Sequence, residues 1–306
     1  MREAQGRGGT RGRRPAGGPG RGVTAVLAAA LLLAGCGTGS SAPSHSRAAT
    51  AAPHRPSPSP TPVWNPHPQS VAALGDSITR GFDACSLLSD CPEVSWATGS
   101  RAGVDSLAGR LRGSAQEGDW NFARTGARMA DLPGQMRQAA LQRPQLVTVL
   151  MGANDACAHS VDGMTSIDDF RNRFTAAMDE LRRTSPKTEV YVSSIPDLLR
   201  LWSVGRHNPL GEQIWKLGVC PSMLADSANT AADATARREA VRARVMAYNS
   251  ALGEACGRYP LCRYDGGAVF QYAFGTDELS DWDWFHPSTK GQAELARLGY
   301  DGVTRS

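Results

Sequence analysis

No CxxC pair and no closely spaced pair of histidines occurs among the 7 cysteines and 6 histidines of the chain, which excludes the usual structural zinc sites. No internal repeat is visible, and no second apolar-rich stretch stands apart as another core. The run Val23–Leu33, apolar or small throughout, is 11 residues long, about half of what a bilayer-spanning helix needs. The formal charge of +4 also has little behind it: residues 1–35 hold six of the 33 basic and one of the 29 acidic side chains, leaving 27 against 28. Bulk charge therefore gives the remaining chain no reason to seek nucleic acid.

What is present at the N-terminus is an Arg- and Gly-rich stretch, then the short apolar run, then Leu33-Ala34-Gly35-Cys36. This order reads as a signal peptide over 1–35. The small residues before Cys36 resemble the lipobox at which bacterial lipoproteins are cleaved and acylated, which implies lipidation of Cys36 and a site on the extracellular side of the membrane. An ordinary secretory signal with a chance cysteine is the competing reading. Residues 36–68, with Arg55-Pro-Ser-Pro-Ser-Pro-Thr-Pro62 among them, have little to bury and read as a disordered linker. The folded domain is then expected over 69–306.

Six cysteines remain after Cys36, an even number that in an exported chain argues for disulfides. Cys85/Cys91 and Cys256/Cys262 are close in sequence, which leaves Cys157/Cys220 by elimination.

Beyond the linker, apolar runs alternate with amphipathic segments. Strands are expected at 70–75, 119–122, 145–151 and 189–195, and helices at 103–112, 128–141, 168–184 and 226–256, with a long polar insertion over 196–225. The β, α, β order predicts a parallel sheet covered by helices on both faces. Leu146-Val-Thr-Val-Leu-Met151 is apolar at nearly every position, as a strand buried on both sides must be.

Three of these strands end in small polar groups: Gly75-Asp-Ser77, Asn121-Phe-Ala-Arg-Thr-Gly126 and Gly152-Ala-Asn-Asp155. In an open parallel sheet such ends lie along one edge, where ligands bind. Near the C-terminus, Asp283-Trp-Phe-His-Pro287 places a carboxylate three residues before an imidazole. Asp283 can there accept from one ring nitrogen of His286 while the other takes a proton from a serine.

The triplet Gly-Asp-Ser alone is a weak signal, but four motifs in this order resemble the SGNH, or GDSL, hydrolase family over about 69–300. The resemblance implies a three-layer α/β/α flavodoxin-like sandwich and a serine esterase or lipase that needs no metal or organic cofactor. It implies Ser77 as nucleophile, His286 as general base and Asp283 as the orienting acid, with an oxyanion hole from the Ser77 and Gly126 backbone N–H groups and the Asn154 amide. The residue chemistry agrees: Gly126 has no Cβ to hold a substrate away from its N–H, and Asn154 offers an NH₂ donor without a proton to lose.

Other polar residues have plainer expectations. Asp76 is expected to anchor the turn and Asp155 to be structural, Asp281 lacks the spacing of Asp283, and His159 and His207 sit in loops. Trp282 and Trp284 flank Asp283, and Trp202 and Trp215 lie in the insertion, so each either packs or lines the cleft. The expected partners are an ester substrate and, through Cys36, a membrane, for a chain acting as a monomer. The substrate is expected to be a lipid or small acyl ester. Acyl transfer or removal of acetyl groups from a polysaccharide is a second reading, and a non-catalytic envelope binding protein a third.

Overall fold

The computed structural model describes residues 62–113 and 118–305; the expected signal segment, Cys36 and most of the expected linker lie outside the described residues. β1 (Val71–Gly75) runs into α1 (Ser77–Arg80), followed by α2 (Leu107–Arg112), β2 (Asp119–Asn121), α3 (Leu132–Gln142) and β3 (Leu146–Leu150). After α4 (Ala153–Ala156) and α5 (Ile167–Thr184) come β4 (Glu189–Val192), α6 (Leu198–Gly205), α7 (Pro209–Trp215) and α8 (Pro221–Leu224). α9 (Ala232–Cys256), β5 (Cys262–Tyr264), α10 (Ala268–Gln271) and α11 (Thr289–Thr304) complete the chain.

The five strands form one parallel sheet in the order β2-β1-β3-β4-β5. Val71 pairs with Asp119 on one side and Leu146 on the other, so β1 and β3 lie side by side at the centre. Every residue of β1, β3 and β4 is buried, the signature of strands covered on both faces. α3, α5 and α9 pack together as one helical layer, and α2 pairs with α11 in another. This is the expected α/β/α sandwich, and its strand order is the flavodoxin-like one.

Local chemistry explains the helices. Ser166 caps α5 by accepting from the Asp169 N–H, with Asp168 and Asp169 in the first turn and Arg182 and Arg183 in the last. Those charges complement the helix dipole at both ends. Phe170, Phe174, Ala177, Met178 and Leu181 recur at helical spacing and are all buried, the apolar stripe that holds a helix to a core.

Three features depart from the sequence expectations. β5 was not expected, because Cys262-Arg-Tyr264 is too short and too polar to declare itself. The insertion over 196–225 is built as α6, α7 and α8, each with its own start signal: Asp197 caps α6, Asn208 caps α7, and Pro221 opens α8. Ordered contacts also begin before residue 69. The Trp64 indole N–H donates to the Val303 carbonyl at 2.9 Å, and the Asn65 N–H to the Glu189 carboxylate. Among the described residues no helix is long and apolar enough to cross a membrane.

Candidate active site

β1 ends at Gly75, where a Cβ would fall 2.4 Å from the Leu150 carbonyl oxygen and 2.5 Å from Thr79 Oγ1. Only glycine lets the strand turn this close to its neighbour. The Gln135 amide fixes the turn, accepting from the Gly75 N–H at 2.8 Å and donating to the Gly75 carbonyl at 2.9 Å. Asp76 then caps α1 by accepting from the Ile78 N–H at 3.0 Å. Burial pushes the Asp76 carboxyl up to about 7. Ser77 is the first residue of α1 and is 6% exposed.

The Oγ of Ser77 lies 2.9 Å from His286 Nε2, and His286 Nδ1 is hydrogen-bonded to Asp283 Oδ2. Asp283 Oδ1 accepts from the backbone N–H groups of Phe285 (3.0 Å) and His286 (2.9 Å). The carboxylate is 1% exposed. Burial pushes it up, but the His286 charge and these hydrogen bonds together outweigh burial and hold it below the ordinary carboxylate range. For His286 the order is the same: burial pushes the imidazole down, and the charge and hydrogen bond of Asp283 more than reverse this, with smaller contributions from Asp76 and Asp83. The net effect holds the imidazole above its ordinary value.

Gly126 adopts φ +79°, and an added Cβ would meet nothing within 4 Å. The left-handed backbone favours glycine, and the open space is the cleft itself. The Asn154 side chain, at the start of α4, donates to the Ala127 carbonyl at 3.0 Å. Among the described residues that amide makes no other hydrogen bond. Asp155 ties the same two loops together, accepting from the Met129 N–H and the Thr165 hydroxyl, each at 2.8 Å. As the first residue of a helix, Ser77 has no intrahelical acceptor for its N–H.

Ser77, Gly126, Asn154 and His286 all border one cleft of about 220 Å³. Its walls are mainly apolar, with Ile78, Phe82, Leu198, Leu201, Val219 and Phe285 facing inward. The disulfide Cys157–Cys220 forms part of the same wall. Cys85–Cys91 and Cys256–Cys262 are the other two bonds, so all three pairings are those the sequence led us to expect.

The neighbouring residues are placed more sharply. Asp281 is exposed and makes no hydrogen bond to His286 among the described residues, and His159 and His207 are exposed in loops. None of the four tryptophans faces the cleft. The guanidinium groups of Arg206 and Arg238 sit over the Trp202 ring, 4.6 and 4.2 Å from its centroid. Trp215 is buried and donates its indole N–H to the Asp283 carbonyl at 2.7 Å. Sequence reasoning missed Gln135 and Asn249, and of the two readings open for Trp215 the packed one holds. Asn249 repeats the Gln135 device on Ile195, bonding both its N–H (2.8 Å) and its carbonyl (3.1 Å). The available signal was a single polar amide inside the buried stripe of a helix.

A doubly wound sheet that brings a hydrogen-bonded serine, histidine and carboxylate to the border of an apolar cleft has the layout of a serine hydrolase. A family model described as GDSL-like lipase/acylhydrolase matches residues 71–298, and the chain belongs to that family. No curated protein sequence matches the chain. Among solved structures it is similar to an acetylxylan esterase from Geobacillus stearothermophilus, at 16% identity and a TM-score of 0.48, covering 78% of this chain and 95% of that one. It is also similar to phospholipase A1 from Streptomyces albidoflavus NA297, at 17% identity and a TM-score of 0.46, covering 76% and 98%.

Proposed function

We propose that Ser77 is the nucleophile of this ester hydrolase, with His286 as its general base and Asp283 as the group that orients and charges the imidazole. The observation that carries this reading is the unbroken hydrogen-bonded chain from Asp283 through His286 to Ser77, opening on an apolar cleft. Ser77 Oγ attacks the ester carbonyl as its proton passes to His286 Nε2. The oxygen of the tetrahedral intermediate is held by the Ser77 and Gly126 N–H groups and the Asn154 amide. Collapse expels the alcohol, which takes the proton from His286, and water then repeats the sequence on the acyl-Ser77 ester. The apolar walls of the cleft support an acyl group as the part of the substrate bound there.

The location and tether are part of the same proposal. Three disulfides suit an oxidising compartment, and the sequence before residue 62 supports a signal segment over 1–35, a lipid anchor at Cys36 and a linker on the extracellular side. The whole site comes from one chain, so a monomer suffices.

Hydrolysis of p-nitrophenyl esters of graded acyl length by the full chain and by Ser77→Ala tests the assignment. Loss of roughly 10⁶-fold in kcat is expected for the variant, with a preference for chains long enough to fill the cleft. Equal hydrolysis by both proteins would remove Ser77 from the reaction. Fractionating cells that express Cys36→Ala reads the anchor: release from the membrane fraction is expected, and unchanged association would contradict it.

A further inference from the structure

The loop that carries Asp283 and His286 has a second face. Trp282 is 42% exposed and is the one aromatic among the large exposed apolar side chains of the described residues. It borders an open groove of about 540 Å³ whose other side chains include Arg101, Asp281, Ser288, Thr289 and Lys290. Asp277 and the turn Asp83–Cys85 complete the wall, and that turn follows Phe82 directly. Phe82 faces the cleft and sets its ring edge against His286, 5.2 Å between centroids. Groove and cleft are thus neighbours across Phe82 and the His286 loop.

The chemistry of the groove differs from that of the cleft. Trp282, Ala84 and the disulfide-bonded Cys85 are its apolar surfaces among mostly polar and charged side chains, so a long acyl chain has less to pack against than in the cleft. Charges of both signs line it, but no single sign dominates: Lys290 pairs with Asp277 at 3.0 Å, and Arg101 with Glu93 at 3.4 Å. Asp281 is exposed and has no side-chain hydrogen bond among the described residues. A flat indole face beside a free carboxylate and part-satisfied cationic donors matches a neutral, polyhydroxylated ring. The C–H face of such a ring covers the indole, and its hydroxyls donate to Asp281 and accept from Arg101 and Lys290.

We propose that this groove is a saccharide subsite and that the ester cleaved at Ser77 is carried on a sugar. The proposal rests on the reading of Ser77 given above. The bond broken is between the acyl carbon and the sugar oxygen; the acyl group passes to Ser77 Oγ, and the sugar leaves as the free hydroxyl with the proton from His286. Water then takes the acyl group as the carboxylic acid. The apolar cleft holds the acyl side and the groove holds part of the alcohol side.

Binding and turnover test it separately. The full chain carrying Ser77→Ala is titrated with neutral tetrasaccharides of xylose, glucose and N-acetylglucosamine, and with phosphocholine, using saturation-transfer NMR. One saccharide is expected to bind, and Trp282→Ala or Asp281→Asn is expected to weaken that binding at least tenfold. Asp281 is a surface residue, so its variant reads the groove even where Trp282→Ala fails to fold. In turnover, the ratio of kcat/KM on the acylated saccharide to that on a p-nitrophenyl ester is expected to fall at least tenfold in either variant, through KM. A variant that merely disturbs the catalytic loop lowers both substrates alike and leaves the ratio unchanged. No saccharide binding, binding indifferent to both variants, an unchanged ratio, or Trp282-dependent binding of phosphocholine in place of sugars would each overturn the proposal. If Ser77→Ala retained full esterase activity, the Ser77 reading would fail, while the titration would still report on the groove.

Discussion

Asp283 and His286 share a buried site, and the charge each carries sets the pH at which Ser77 can lose its proton. His286 acts as a base only when neutral, so an imidazole raised by Asp283 moves the acid limb of kcat/KM to higher pH than an unperturbed histidine would give. Removing the Asp283 charge takes away most of what raises the imidazole and leaves burial, which lowers it, opposed only by the smaller contributions of Asp76 and Asp83. Asp283→Asn is therefore expected to move the acid limb to lower pH while cutting kcat by about 10⁴-fold through loss of the oriented tautomer. A pH–rate profile of both proteins checks this, and an unmoved limb would mean that another group titrates. Most of the residues at this scale were legible in the sequence, because each chemical role demands a residue type at a strand end or a fixed spacing. Gln135 was not legible: its partners are the N–H and carbonyl of Gly75, 60 residues away, and an amide in a helix announces no such target.

At the scale of elements, the insertion over 196–225 is a brace. α6 gives Leu198 and Leu201 to the cleft wall, and its last residue, Gly205, packs so closely on the catalytic loop that a Cβ would lie 2.2 Å from the Trp284 carbonyl oxygen. Trp215, at the end of α7, holds the Asp283 carbonyl, and Cys220, at the start of α8, is bonded to Cys157, the residue that ends α4. The insertion thus grips the acid loop on one side and the Asn154 helix on the other. Trp215→Phe keeps a ring in place but leaves a buried carbonyl without its donor. Stability is expected to fall by about 1–3 kcal/mol. If the grip also positions Asp283, kcat falls about 10- to 100-fold with little change in KM, and the acid limb shifts down as in Asp283→Asn; a stability loss with an unmoved limb would reduce Trp215 to packing. The sequence presented this segment as a polar loop because its helices are short and its capping residues are also turn residues. β5 escaped notice for a related reason, since three residues cannot display a period.

Across the whole molecule, topology assembles the site. The chain leaves β1 for the edge strand β2 and returns past β1 to β3, so the carboxyl ends of β1 and β3 flank the crevice at which the strand order reverses. Ser77 follows one of these strands and Asn154 the other. The β, α order and the buried apolar runs made this much readable, since a parallel sheet admits few connections. The placement of Trp202, Trp215 and Trp282 was not readable, because it depends on how the insertion and the catalytic loop pack in three dimensions. The Cys157–Cys220 bond spans 63 residues, against 6 for each of the others. In the chain-entropy model it contributes about 4 kcal/mol, and each short loop about half that. Replacing both Cys157 and Cys220 by Ser is expected to lower Tm by about 10 °C, roughly twice the effect of removing Cys85–Cys91. Calorimetry of the variants decides between that order and its reverse.

The central claim is that His286 activates Ser77 as the nucleophile. Incubation of the full chain with a fluorophosphonate, followed by peptide mass spectrometry, tests it most directly, because only an activated serine attacks the phosphorus at an appreciable rate. One adduct per chain, located on Ser77 and lost in His286→Ala, is the result this account predicts. A native protein that stays unlabelled, or that carries its adduct on another residue, would contradict it.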